Sequence, residues 1–391
     1  MSAGHTWQAF SRDAGYQLSG GLPIVKASGV LRHLGVDTCQ LVTPYTAAAY
    51  GRLAPGCGAV LYRDGVFQFG GMVGSERRIG WDAGTGEATI TVNLLGDDVH
   101  LADRLILPSP LASPTAQTAD RWTYTGVASS AMWELIRVQA GPGAAAGRRV
   151  PTLTMGDDPG VGASRTWREQ FAPLLERLEF IGVLSGADLG VRVRTTADGL
   201  RADVYAPRDQ SADIRFSASL TNLVGWEYVQ TPPEVTVAIA AGQGDLAARV
   251  RRVAASGNAA DLAWGRRIER YIDQRDEADP AQLQTAADDA LAEGIGTQSL
   301  TVDVTDTGTA AYGREWGLGD RVTVHVGLPG GPTAATVIDL VREVAFDVTG
   351  DGTESITPAV GTSDAKAVRP GPTQQALARV AAGLARLTRN K

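Results

Sequence analysis

Histidine and cysteine side chains come first, because imidazole and thiolate do most general-base, nucleophilic and metal-ligand chemistry near neutral pH. His5, His33, His100 and His325 stand far apart, with no H-E-x-x-H or His-x-His spacing to place two imidazoles on one metal. His325 lies inside Arg321-Val-Thr-Val-His-Val326, where a strand residue facing solvent or a pore is the ordinary role. Cys39 and Cys57 have no catalytic context around them and are too few for a disulfide framework, so they read as two reduced thiols. The sequence contains no G-x-S-x-G nucleophile elbow. Asp97-Asp98 is a carboxylate pair with no His, Cys or third acid beside it; ahead of Val99, Leu101, Ala102 and Leu105 it reads as a helix cap. Asp347 to Glu354 has acids like a calcium loop without the D-x-D-x-D-G order, and reads as a glycine-rich hairpin turn.

Gly242-Gln-Gly244-Asp-Leu-Ala247 comes nearest to an enzyme motif. It follows a strand-like run and precedes Leu246 to Val253, so it mimics the G-x-G-x-x-A turn that opens a dinucleotide-binding helix, with Asp261 as the distant acid. The flanking strands alternate as in an antiparallel sheet and no series of βαβ units surrounds the motif, so a strand-to-helix turn made with glycines is the better account. The eight tryptophans and nine tyrosines are scattered rather than set on one strand face, which favours core and interface packing over stacking on sugars. No catalytic residue, cofactor site or metal site is assigned.

The elements that would carry these residues are mostly short strands. The chain has 391 residues, 47 of them glycine and 19 proline, with 43% hydrophobic and 20% charged residues. That length argues for two to four domains, and the turn content favours strands over long helices. A net charge of −7 gives no footprint for wrapping nucleic acid. No stretch approaches 18 consecutive apolar residues, so no membrane span is expected, and the first residues lack the basic-then-apolar layout of a secretion signal. Only Lys26, Lys366 and Lys391 among 36 basic residues are lysines, a mark of GC-rich coding.

Residues 1–107 read as a β-barrel-like domain, with Asp64-Gly65 turning a hairpin between 58–63 and 66–69. Residues 108–120 form a Pro/Ser/Thr/Ala linker. Residues 121–208 read as an α+β insertion domain: a helix over 127–139, a second over 165–180, and a hairpin of 190–195 with 200–205. Residues 211–360 read as a second β-barrel-like domain, with strands near 234–240, 268–273, 299–305, 320–327, 333–347 and 354–360, flanked by a helix from Asp279-Pro280 to about Glu293. Residues 361–391 hold a linker and an amphipathic helix over 373–389, whose stripe Leu377, Val380, Ala381, Leu384 and Leu387 must pack on its own chain or on a partner.

The order of these segments carries a resemblance. Tyr62-Arg-Asp-Gly65 with Phe67-Gln-Phe-Gly-Gly71, then Ser219-Leu-Thr-Asn-Leu-Val-Gly-Trp-Glu-Tyr228, then Arg266 to Glu277 leading into Asp279-Pro280, and finally Tyr312-Gly-Arg-Glu-Trp-Gly-Leu-Gly-Asp-Arg-Val-Thr-Val324 recur in order along residues 1 to about 361. In these segments the chain resembles the minor tail proteins of actinobacterial siphophages, a family related to tail hub (baseplate hub) proteins. The low-lysine usage fits a phage of a high-GC host. The resemblance implies a β-rich α+β fold with two tail-tube-like β-barrels and the α+β insertion, and a homotrimeric ring at the virion tail tip, assembled in the host cytoplasm. It also implies partners: a distal tail protein, a tape-measure protein, and tail-tip or receptor-binding proteins. DNA would pass through without specific binding, which a mildly acidic chain permits. Leu377, Val380, Leu384 and Leu387 are expected to anchor a neighbouring tail protein or subunit. The alternative is a tail-associated hydrolase of cell wall or surface glycan, or a glycan-binding adhesin, for which the 121–208 insertion is the place to look.

Overall fold

Strand alternation organises the first hundred residues: β1 (Trp7–Arg12), β2 (Leu18–Leu22), β3 (Lys26–Arg32), β4 (Thr38–Pro44), a one-turn helix α1 (Ala47–Arg52), β5 (Gly58–Arg63), β6 (Val66–Trp81) and β7 (Ala88–Gly96). Positive φ at Asp64 (51°) and Gly65 (77°) makes the expected tight turn between β5 and β6. This computed structural model of the chain describes residues 5–245, 248–296, 298–304, 310–327 and 335–361. The amphipathic tail with Leu377, Val380, Leu384 and Leu387 therefore lies outside the described residues.

The next stretch alternates helix and strand: α2 (Val99–Ala102), β8 (Trp122–Val127), α3 (Ala128–Gln139), β9 (Thr154–Met155), β10 (Ser164–Glu169), α4 (Leu174–Leu184), β11 (Gly190–Thr196) and β12 (Gly199–Tyr205). The single helix expected over 165–180 is two elements. Arg165-Thr-Trp-Arg-Glu169 pairs as a strand with β8, Phe171 takes a left-handed φ of 44°, and Pro173 is the N-cap from which α4 starts. Proline cannot continue an α-helix from within, so the break was enforced at that residue.

The last part comprises β13 (Arg215–Ser217), β14 (Leu223–Gln230), β15 (Val237–Ala241), β16 (Arg251–Ala255), α5 (Ala259–Leu262), β17 (Glu269–Asp273), α6 (Pro280–Glu293), β18 (Gln298–Val304), β19 (Arg321–Val326), β20 (Ala335–Thr349) and β21 (Glu354–Gly361). Asp279 caps α6 as expected, its carboxylate accepting the Ala281 N–H. Arg251 to Ala255, within the stretch that would be the helix of that motif, is strand β16, which pairs antiparallel with β15, while β17 pairs parallel with β15 on the other side. Among the described residues the long helix that a dinucleotide-binding turn must open is therefore replaced by a strand.

β20 joins the two β-rich parts. Residues 335–340 pair with β19; beyond them the strand lies between β21 and β3, so the C-terminal strands continue directly into the N-terminal ones. The result is one 13-stranded sheet, open among the described residues at β14 and β2, rather than two separate barrels. Fifteen residues of β-strand give β20 the length to serve both parts. One hydrophobic cluster accordingly runs from Ala9 through Leu94 and from Ile214 through Val360. Two smaller clusters sit beside it, one formed by residues 101–204 together with Tyr16 and one between α6 and the β15–β17 sheet.

Phe346 sits at the joint. It stacks on Trp7 at 5.3 Å and lies opposite Gly29, where a Cβ would come within 2.8 Å of the phenylalanine ring and 2.4 Å of the Thr38 carbonyl. Phe346→Ala is therefore expected to cost about 3–5 kcal/mol in chemical denaturation, whereas Ile338→Ala, on an exposed position of the same strand, should change stability by less than about 0.5 kcal/mol. Equal effects would remove Phe346 from the joint.

Candidate functional site

The carboxylates singled out in the sequence are structural, and they do more than cap a helix. The Asp98 side chain makes no capping bond to α2; its Oδ1 accepts the Val193 N–H of β11 at 2.8 Å. Asp97 turns back to Arg12 of β1. Arg12 Nη1 donates to Asp97 Oδ2 at 2.7 Å and to Thr195 Oγ1 at 2.5 Å, Nη2 donates to Asp97 Oδ1, and the threonine hydroxyl donates to Asp97 Oδ2 at 3.0 Å. Arg12 and Asp97 are both buried, so a strand of the large sheet, the end of β7 and a hairpin of the inserted region meet on one desolvated ion pair.

Further buried polar groups surround it. Asp37 Oδ1 accepts the Arg32 N–H at 2.6 Å. Burial pushes the Asp37 carboxyl up to about 6 against the pull of Arg192 and the Arg32 N–H, and burial beside Asp37 raises the Asp98 carboxyl well above the usual range. Arg192 donates to the Gln68 carbonyl at 2.5 Å. His33 Nε2 donates to the Asp188 carbonyl at 2.9 Å, which leaves Nδ1 to accept the Tyr205 hydroxyl at 2.8 Å. Burial and the neighbouring Arg342 lower the His33 pKa to about 4, so it is a neutral structural histidine with both nitrogens committed. Asp188 in turn pairs with Arg321 at 2.8 Å and Arg342 at 3.4 Å, tying the inserted region to β19 and β20.

A groove of about 260 Å³ separates the inserted region from α6. Its acids are matched with arginines: Glu169 with Arg177 at 2.6 Å, Asp289 with Arg165 at 3.0 Å, Glu277 with Arg168 at 3.6 Å, and Glu293 with Arg177 at 3.5 Å. A hydrolase needs one carboxyl kept protonated and one left ionised at the bond to be cut. This groove pairs each acid with a guanidinium, and burial raises the Glu169 carboxyl above its ordinary value against the pull of Arg177. Among the described residues, no group of three or more His, Cys, Asp and Glu converges on a metal position. Cys39 is buried, and burial holds its thiol well above the ordinary range. His325 bonds the neighbouring Thr336 hydroxyl at 2.9 Å across β19 and β20.

What remains is surface for association. Beyond Arg77, β6 is a local sheet edge among the described residues, paired with β7, which β4 covers on its other side as far as Thr89. Ile79 lies opposite the buried Ile90, and the edge carries exposed Ile79 and Trp81, the latter 71% exposed. Arg77 anchors its base, donating to the Tyr50 and Leu53 carbonyls and lying 3.7 Å over the Tyr50 ring. An exposed tryptophan on an unpaired stretch of edge strand marks a contact surface. The β15–β17 sheet has a second open row, Val253, Ile239 and Tyr271, on the face opposite α6.

A family model described as Siphovirus ReqiPepy6 Gp37-like protein matches residues 26–362, most of the chain. The chain belongs to this family. The Gp37-like chain also shares its fold with solved tail proteins at low identity. A tail protein from Neisseria meningitidis MC58 is 14% identical, with a TM-score of 0.53 and coverage of 92% of this chain and 97% of that one. The 43 kDa tail protein of prophage MuSo2 from Shewanella oneidensis is 12% identical, with a TM-score of 0.51 and coverage of 90% and 98%. Prophage tail protein gp18 from Listeria monocytogenes EGD-e is 11% identical, with a TM-score of 0.50 and coverage of 98% and 99%. A search of curated proteins gives no match. The β-rich fold expected from the sequence is thus present and is shared with solved tail proteins, with its two β-rich parts fused in one sheet.

The buried junction was not visible in the sequence, since Arg12 and Thr195 are 183 residues apart. Its energetics are testable. Asp97→Asn leaves the Arg12 charge buried without a counter-ion and should cost about 3–5 kcal/mol in urea unfolding; a loss below about 1 kcal/mol would place the pair in effective contact with water. Asp37 gives a pH signature. Its folded pKa lies above the ordinary carboxylate value, so its contribution is fully present below about pH 4 and lost as pH rises through about 6. Asp37→Asn keeps an acceptor for the Arg32 N–H, and its stability relative to the parent should rise between pH 4 and pH 7.5. A pH-independent offset would contradict the buried, proton-holding carboxyl.

Proposed function

We propose that this Gp37-like chain is a structural hub protein at the distal end of a siphophage tail, joining the tail tube to the tip and forming part of the DNA conduit. The observation that carries this reading is the near-complete, end-to-end match to tail proteins of the same size, which leaves no region of the chain to house a separate enzyme domain. Membership of a siphovirus family over residues 26–362 supports it. In this reading the chain forms a homotrimeric ring in the virion, assembled in the host cytoplasm, against a distal tail protein, a tape-measure protein and tail-tip or receptor-binding proteins. The open sheet, the exposed β6 edge with Ile79 and Trp81, and the apolar row on β15–β17 are the kind of surface that ring-closing contacts require.

Catalysis has no part in the proposal. The four carboxylates of the arginine-rich groove are ion-paired, and that groove serves to hold the inserted region against α6. A chain of net charge −7 lets DNA pass without a general attraction for phosphate.

Light scattering on the purified chain should give three times the 40.9 kDa protomer mass. Trp81→Ala should shift that equilibrium toward the protomer by about tenfold or more, as expected when an aromatic anchor is lost from an interface, with the protomer melt unchanged. A protomer mass for the parent chain, together with clearing of host cell walls in a turbidity assay, would replace this reading with the hydrolase.

A further inference from the structure

β14 is the terminal strand of the large sheet among the described residues, and no strand pairs with its outer edge there. Directly opposite residues of an antiparallel pair share a face. Trp226 lies opposite Val302 and Tyr228 opposite Leu300, so both aromatics belong to the core side of the sheet. Val302 and Leu300 are buried in the main core, whereas Trp226 and Tyr228, one strand further out, are exposed, as are Leu220 and Val224 at the head of the strand. The core side thus runs past its own cover, and an aromatic edge strand left bare is an aggregation hazard.

The chain itself carries a cover that starts close by. β21 ends at Gly361, opposite Ser299, and Ser299 is opposite Val229 of β14. The chain therefore leaves the described fold two strand spacings, about 10 Å, from the bare edge. Residues 362–372 can span up to roughly 36–40 Å, ample to return the following segment to that edge. Residues 373–389 measure about 25 Å as a helix, close to the roughly 26 Å of an eight-residue strand. Charge points the same way. Residues 362–391 hold six of the 36 Lys+Arg and one of the 43 Asp+Glu, so 30 basic residues face 42 acidic ones in the remainder. β14 and β18 carry no base to repel the segment, and their exposed acids Glu227 and Asp303 alternate with Trp226, Tyr228 and Val302, on the other face of the sheet.

We propose that residues 373–389 pack on the β14 edge of their own chain, with Leu377, Val380, Leu384 and Leu387 covering Val224, Trp226 and Tyr228. The stripe offered to a partner by the sequence has a nearer surface in its own fold. The basic face of the segment, with Arg379, Arg386 and Arg389, lies toward solvent.

The test uses the full chain with Cys57→Ser. Val224→Cys combined with Leu384→Cys should form an intrachain disulfide under mild oxidation, at a yield at least about tenfold above the control pair Val253→Cys with Leu384→Cys, as read by non-reducing peptide mass spectrometry. In a second measurement, Leu384→Asp with Leu387→Asp should raise amide exchange of residues 223–230 by about tenfold relative to the parent. A disulfide formed only between chains would assign the tail to another copy and overturn the proposal. A yield equal to the control, as for a tail held on DNA or on another protein, would overturn it too, and so would unchanged exchange along β14.

Discussion

A guanidinium and a carboxylate withdrawn from water are stable only when each supplies the other's counter-charge and hydrogen bonds. Arg12 and Asp97 meet that condition together with Thr195, and in doing so they fix three distant parts of the chain at one point. β1 must lie in the large sheet, β7 must end where Asp97 can turn inward, and the β11–β12 hairpin must bring its threonine to the same spot. The inserted region is thereby held to the sheet by directional bonds, and apolar contact alone would not set its orientation. Asp98 to Val193, Arg192 to Gln68, and Asp188 to Arg321 and Arg342 repeat the arrangement around the junction.

The same economy runs through the sheet. β20 belongs to both β-rich parts, so a load applied to one part reaches the other through a continuous ladder of backbone hydrogen bonds. Such a body suits a load-bearing ring component: ionisable groups are spent on holding segments together, and apolar side chains that the described fold does not cover are kept at its edges. His33, of a residue type often used for proton transfer, is here buried, neutral and bonded at both nitrogens, and serves to hold segments together.

Local signals in the sequence were read well where they were chemically local. Asp64-Gly65 announced its turn, Asp279-Pro280 its helix start, and the helix over 128–139 and the closing strands to 361 lie within a few residues of their expected places. The errors have physical causes. Trp167 and its neighbours sit at helical spacing with Leu174 and Leu178, and that periodicity masked the stop that Pro173 imposes. The run after Gly244 has helix-forming residues, yet pairing with β15 overrode their propensity. Asp97-Asp98 was read as a cap because Arg12 and Val193, their actual partners, are more than 80 residues away. The fusion of two β-rich parts through β20 is likewise a long-range pairing with no local mark.

Imaging of the purified chain tests the central claim most directly, namely the proposal that it closes into a ring at the tail tip. Negative-stain class averages should show a threefold ring with a central hole wide enough for duplex DNA. Isolated protomers with no ring at any concentration would contradict the account.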